Sequence, residues 1–336
     1  MATRSEGFVL VATLWVLAGL TILAGYVDGV TTDSVERATL ARQALQRELD
    51  RRNTKATLVY LLATNRKNHR ALVVDNEQRF VEFVDEQLPP GDAEVALTGQ
   101  AYAGLGEINF AIQDEAGMVP VNAPNAPQLA AMLRHVGVSA QDAVRVVARV
   151  SDYVDIDVEL TLNGAEHFDY VRRGLPPPPN WLMASPLELK KVLGLEQIIT
   201  DEQWRRLRPV LTMRQGIGLN VSTMPSELIA ALLDADERAV RDIMGESGTR
   251  PLDASRLMQL AGWAATIDPE ELRVLPADHL RITTWYAGGA RHVAGIHLTP
   301  YVDGAAWRQD YRYTESPVDG AASATSPISV SAPLLQ

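Results

Sequence analysis

The sequence predicts an α+β chain: one long N-terminal helix, a small antiparallel sheet, and a large α-helical domain inserted within that sheet. Three observations carry this. The chain holds 19 prolines, yet the first is Pro89, so no ring interrupts a helix over the opening residues. Apolar and polar residues alternate over Leu105–Gln113 with the period of a half-buried strand, and Leu280–Leu298 reads as two strands around Gly288-Gly289. Between those blocks about 150 residues follow a helical period instead, and strands that flank helices point to an insertion.

The elements follow in chain order. Phe8 to Val27 reads FVLVATLWVLAGLTILAGYV, twenty residues without a charged side chain, enough to cross a hydrocarbon core as a helix. Charges return at Asp28, after which Val35, Ala38, Leu45, Leu49, Ala56, Val59 and Leu62 recur at steps that make one helical stripe. A helix from Phe8 to about Asn65 would be roughly 85 Å long at 1.5 Å per residue. Ile108, Phe110 and Ile112 mark the first strand, and DEAGMVPVN at 114–122 closes it with a turn. Helical patterns cover Ala126–Val136, Ala140–Val154, Ser185–Leu193, Asp201–Leu211, Pro225–Leu233 and Ala254–Ala264. Pro176 to Pro179 is a rigid extended spacer. Two strands then flank Gly288-Gly289 as a hairpin, and Trp307–Tyr313 is a third.

Composition removes whole classes of function. With no cysteine there are no disulfides, thiolate zinc sites or cysteine nucleophiles. The formal net charge of -11 opposes a nucleic-acid surface, because phosphate contacts need Lys and Arg. The six histidines, His69, His135, His167, His279, His292 and His297, fit neither H-E-x-x-H nor any serine-hydrolase pattern, so no enzyme is expected. His292 and His297, at odd spacing in one strand, fall on opposite faces.

One stretch concentrates charge. Residues 152–169 hold Asp152, Asp155, Asp157, Glu159, Glu166 and Asp169 with no Lys or Arg, and Asn163-Gly164 adds an amide oxygen and a turn. Such hard oxygen donors suit Ca²⁺, whereas zinc prefers His or Cys. Asp155-x-Asp157-x-Glu159 is like the start of an EF-hand loop, but the required glycine and terminal Glu are missing. On composition alone, acids that simply face water account for the same residues.

The order of a short polar leader, Met1 to Gly7, then a glycine and an apolar run opening with Phe8, resembles the class III leader of type IV pilins and pseudopilins. That resemblance implies cleavage between Gly7 and Phe8, N-methylation of Phe8 by the prepilin peptidase, and a pilin-like helix shared between membrane and head. The fifth residue of the mature chain is then Ala12, where most of these proteins carry glutamate. A carboxylate inside the membrane is retained only where it meets a partner charge, and a subunit at the fibre tip has no neighbour above it to supply one. Lack of that glutamate, together with DEAGMVPVN, SDYVDIDVELTLNGAEHFDYV at 151–171, NWLMASPLELKKVLGL at 180–195 and GLNVSTMPSELIAAL at 218–232, resembles the K-type minor pseudopilins of type II secretion systems.

What this resemblance implies is a leader at 1–7, a span at 8–27, a pilin-like head at 28–119 and 273–315, an inserted α-helical domain at 120–272, and a disordered tail at 316–336. It places the chain in a bacterial inner membrane with a periplasmic head, initiating or capping the pseudopilus. Implied partners are other minor pseudopilins, the major pseudopilin, the inner-membrane assembly platform and secreted cargo, but no nucleic acid. Structural Ca²⁺ in the inserted domain is implied at Asp152, Asp155, Asp157 and Glu166, with Glu159, Asn163 and Asp169 as further oxygen donors. Val158 and His167 stand where the family often has acids. Two other readings are a minor pilin of a DNA-uptake system, using 218–232 as the start of a helix-hairpin-helix, and an unrelated anchored periplasmic calcium protein.

Overall fold

The computed structural model describes residues 6–74, 94–123, 126–216, 218–262, 267–299, 304–316 and 328–329. The chain forms two compact units, Met1–Arg52 and Asn53–Gln336. Of the leader expected at 1–7, residues 1–5 lie outside the described residues.

The first unit is helical throughout its described length, the greater part of α1 (Glu6–Thr64). From Phe8 this helix is long and apolar enough to cross a membrane, with a mean hydropathy of 2.3 in its most apolar window and no part of that window buried. Its hydroxyls bond within the helix: Thr21, Thr31, Ser34 and Thr39 each donate to the carbonyl four residues earlier, at 2.7–2.8 Å. Beyond the span, Glu48 takes Arg51 and Arg52 one turn on, which holds its carboxyl well below the usual range, at about 2.

In the second unit the end of α1 packs Leu58, Val59, Leu61 and Leu62 into a core with Phe110, Ile112, Leu280, Ile282 and Ile296. The apolar stripe read along α1 is therefore buried only here; Val35, Leu45 and Leu49 remain exposed. The sheet on which it packs has the order β10-β3-β4-β7-β8-β9, formed by β3 (Thr98–Ala103), β4 (Ile108–Asp114), β7 (His279–Tyr286), β8 (Arg291–Leu298), β9 (Trp307–Glu315) and β10 (Ile328–Ser329). All pairings are antiparallel except β10 with β3. Within the stretch expected as a disordered tail, Ile328 and Ser329 thus occupy the free backbone edge of β3, which an unpaired strand edge invites. A smaller pair, β1 (Ala71–Val73) with β2 (Glu94–Ala96), lies beside it in sequence.

The expected insertion is present. The chain leaves the sheet at the end of β4 and returns at β7, which is the direct neighbour of β4. Between them lie eight α-helices among the described residues: α2 (Pro127–His135), α3 (Ala140–Val154), α4 (His167–Val171), α5 (Leu195–Ile198), α6 (Asp201–Leu207), α7 (Ser226–Leu233), α8 (Glu237–Ser247) and α9 (Ala254–Ala261). A short parallel pair, β5 (Val119–Pro120) with β6 (Leu211–Thr212), sits at their base. Their own core gathers Leu129, Met132, Leu133, Val146, Val150, Tyr170, Leu189, Leu207, Leu228 and Ile243.

Local chemistry sets these helix ends. Ser139 caps α3 by accepting from the Asp142 N–H, and Thr200 with Gln203 forms a reciprocal capping box on α6. The helix expected at Asp201–Leu211 stops at Leu207, because Pro209 supplies no N–H and a 3₁₀ turn at Arg208–Val210 follows. Ser185–Leu193 is likewise a 3₁₀ turn, Pro186–Lys191, rather than an α-helix. Of the helix expected at Ala254–Ala264, α9 covers Ala254–Ala261, and residues 263–264 lie outside the described residues.

Buried polar groups fasten the insertion to the sheet. Asp114, fully buried at the end of β4, accepts from the Ala116 and Ala277 N–H groups, the Thr223 hydroxyl and the Asn220 amide at 2.9–3.2 Å. Its neighbour Glu115 accepts from Thr212 at 3.0 Å and from the Tyr311 hydroxyl. Arg281 of β7 donates to Tyr311 at 3.0 Å, to the Pro209 carbonyl at 3.1 Å and to the Leu211 carbonyl. A buried carboxylate thus meets a buried guanidinium through one phenol.

Candidate metal centre

The acidic stretch becomes a site because two helix ends turn its carboxylates toward one point. Asp152 lies in the last turn of α3 and Asp155 is the residue that ends it. Glu166 precedes α4 as its N-cap. One carboxylate oxygen from each of Asp152, Asp155 and Glu166 lies within 4.8 Å of the others.

The connecting loop is pinned to this point. Asp152, fully buried, accepts from the Thr161 hydroxyl at 2.6 Å and from the Thr161 N–H at 3.3 Å. Asn163 adopts φ +69°, the left-handed conformation that a short amide side chain tolerates. Gly164 is needed for room: a Cβ there would overlap the Asp152 carboxylate. The Glu166 carboxylate accepts from the His167 N–H at 3.2 Å, and Asp169 accepts from the Glu166 N–H at 3.2 Å, closing a capping box.

The electrostatics of the cluster are unsettled by the chain alone. Burial, followed by the charges of Asp157 and Asp152, lifts the Asp155 carboxyl to about 6. Burial also raises Glu166, with Asp152, Asp155 and Asp157 adding to the effect. Asp155 Oδ1 and Glu166 Oε1 are buried and make no hydrogen bond among the described residues. Buried carboxylate oxygens without a donor are costly, and a hard cation held by six to eight oxygens relieves both the desolvation and the repulsion. This donor set therefore fits Ca²⁺.

The remaining expected ligands are placed less centrally. Asp157 is exposed and accepts from the Glu159 N–H at 2.8 Å. Glu159 and Asn163 are exposed. Asp169 carries the capping bond and pairs with Arg172 at 2.9 Å. Ala12 and Phe8 both lie on α1, in the apolar span.

Two other sequence expectations meet the structure here. Residues 218–232 supply a 3₁₀ turn at Val221–Thr223 and α7, whose Leu228, Ile229 and Leu232 fill the core of the insertion. The connection to α8 runs through Asp234 and Asp236, which cap helices where a phosphate-binding hairpin would need glycines and bases. A second group of metal-ligating side chains, His279, His297 and Asp310, also comes together and was not anticipated from the sequence.

Comparison with known proteins gives two positive findings. Residues 107–216 match the family model described as "Type II secretion system (T2SS), protein K". Among solved structures, a chain of the GspK-GspI-GspJ complex from the type 2 secretion system of enterotoxigenic Escherichia coli is similar, at 17% identity and a TM-score of 0.53. The match covers 83% of this chain and 99% of that one, and at this identity it speaks for the fold. No curated protein sequence matches.

Proposed function

We propose that the chain, whose residues 107–216 match the type II secretion system protein K model, is a minor pseudopilin of that family at the tip of the pseudopilus. It initiates or caps the fibre there, and its role is mechanical rather than catalytic. The observation that carries this reading is the insertion, among the described residues, of eight α-helices between adjacent strands β4 and β7, a bulk that stacking of a further subunit on the head would have to accommodate.

In this reading the prepilin peptidase cuts between Gly7 and Phe8 and methylates Phe8. The apolar part of α1 then holds the subunit in the inner membrane with its head in the periplasm. Ala12, lacking a carboxylate, seeks no partner ammonium above it, as suits a terminal position. The similar chain was solved in a complex named for three proteins, GspK, GspI and GspJ, and other minor pseudopilins are accordingly the first partners to test. The major pseudopilin, the assembly platform and secreted cargo are the later ones.

The insertion is completed in this reading by Ca²⁺ on Asp152, Asp155 and Glu166, with Asp157 near enough to add charge. The ion supplies positive charge to a stretch, residues 152–169, that holds no Lys or Arg of its own. Asp152 holds the Thr161 backbone, and Glu166 starts α4, so the same carboxylates that bind also fix the loop.

Intact-mass measurement of protein from a strain with active prepilin peptidase tests the processing: the mature chain should begin at methylated Phe8. Co-purification with the I-type and J-type subunits of the same system tests the tip assignment. An uncut chain that co-purifies with neither overturns the proposal.

A further inference from the structure

At the end of the sheet, the register of β7 on β8 sets His279 directly opposite His297, and their rings stack with centroids 3.9 Å apart and planes 21° apart. On the next strand the pairing slips: Gly295 faces Tyr311 while Ile296 faces Gln309, so Asp310 is an extra residue. Such a bulge re-aims a side chain. Here it brings an Asp310 oxygen and one nitrogen from each histidine within 4.8 Å of one another. All three residues are half-buried, and His297 Nδ1 is buried with no hydrogen-bond partner among the described residues.

We propose that His279, His297 and Asp310 form a second cation site, separate from the acidic loop and selective for a transition-metal dication of the zinc class. Two imidazoles and a carboxylate make a donor set that suits Zn²⁺ and leaves a position for water, whereas Ca²⁺ prefers oxygen throughout. The three ligands come from three consecutive strands, so a bound ion cross-links β7, β8 and β9.

Two guanidiniums compete for this site. Arg308 pairs with Asp310 at 3.0 Å, and Arg214, which reaches the sheet from the inserted domain, pairs with the same carboxylate. A metal ion must displace at least one of them from the oxygen it takes. The repulsion makes this site weaker than a closed structural zinc site, and it ties occupancy to the grip of Arg214 on the sheet.

The experiment is a Zn²⁺ titration of the full chain in detergent by calorimetry, with metal analysis after gel filtration and Ca²⁺ present throughout. One zinc should bind per chain. His297→Ala and Asp310→Asn should each weaken binding at least tenfold, with circular dichroism confirming that the variants fold. Arg214→Gln should tighten binding several-fold by removing a competing cation. Affinity unchanged in His297→Ala, or weakened in a folded Arg214→Gln, overturns the proposal, as does the absence of stoichiometric zinc in the wild type. Since the acidic loop contributes no ligand, loss of the Ca²⁺ reading leaves this result intact.

Discussion

The acidic loop and the sheet junction both bury carboxylates, and they settle the charge in opposite ways. At the junction Glu115 is answered from within the chain: Tyr311 stands between it and Arg281, and Thr212 takes its other oxygen. In the loop, Asp152, Asp155 and Glu166 converge with no Lys or Arg between positions 152 and 169, and two of their oxygens find no donor among the described residues. Asp114 is an intermediate case, carrying a buried charge on four neutral donors. A buried anion whose countercharge is encoded in the sequence is a fastening. One whose countercharge is missing is an invitation to an external cation.

The strongest way to break this comparison is at the fastening. Arg281→Met leaves Glu115 buried without its cation and should cost about 3–5 kcal/mol, read as a fall in the urea midpoint. Adding Glu115→Met should recover most of that loss, since the penalty is the stranded charge. Equal destabilisation in single and double variants would show that packing, not charge, holds the junction.

The proposed calcium ion tests the other side of the comparison. At a hundred times its dissociation constant, Ca²⁺ should stabilise the protein by about 2.7 kcal/mol, visible as a rise in Tm that a chelator reverses. Asp152→Asn and Glu166→Gln should abolish the rise while leaving the response to Arg281→Met unchanged. Coincident melts with Ca²⁺ and chelator would remove the calcium reading.

Asp114 sharpens the intermediate case. Burial is the largest influence on its carboxyl and lifts it from 3.8 to about 6, against the pull of its four donors. A raised carboxyl contributes stability that is fully present below pH 3.8 and is lost as pH rises through about 6, a change of about 3 kcal/mol. Carboxyl-carbon NMR should follow its titration directly. A midpoint below 4 would mean that the donors outweigh burial and that neutral hydrogen bonds suffice to hold this charge.

Next in size is Gly164→Ala, whose methyl group meets the Asp152 carboxylate and should cost about 1–3 kcal/mol, with loss of the Ca²⁺ response. The smallest effect is also the most diagnostic. Asp155→Asn should stabilise the chelated protein by roughly 1 kcal/mol, because it removes repulsion, yet destabilise it in Ca²⁺. The same neutralisation at Glu115 should destabilise in both conditions.

How much of this was legible in the sequence depended on whether the information was local. The long helix, the β7–β8 hairpin, α2 and α3 were readable because apolar spacing at two or 3.6 residues is a local property. α8 does not stand out in the sequence because in ERAVRDIMGES only Val240, Ile243 and Ser247 turn inward, too short an apolar stripe to mark an element. β3 was missed because TGQAYA carries glycine and glutamine where alternation would show, and its register shifts between Thr98 and Ala101.

The candidate site divides along the same line. The acids were plain as a charge run, but which three converge was set by where α3 ends and α4 begins. Asn163-Gly164 was read as a turn; the turn belongs to Asn163, while Gly164 makes room for Asp152. Arg281 gave no hint, since its partners lie 30 to 72 residues away. His279 and His297 were within reach: each stands nine residues from Gly288, so a hairpin centred there pairs them. The bulge that adds Asp310 was not.

One feature of α1 reaches beyond the head. The hydroxyls of Thr21, Thr31, Ser34 and Thr39 are all spent on carbonyls of the preceding turn. Such a helix has the same hydrogen bonds in lipid, against a neighbouring helix or in water. Sliding along its axis from one surrounding to another requires no exchange of partners for these hydroxyls, and what would hold such a helix in lipid is the apolar surface of Phe8 to Val27.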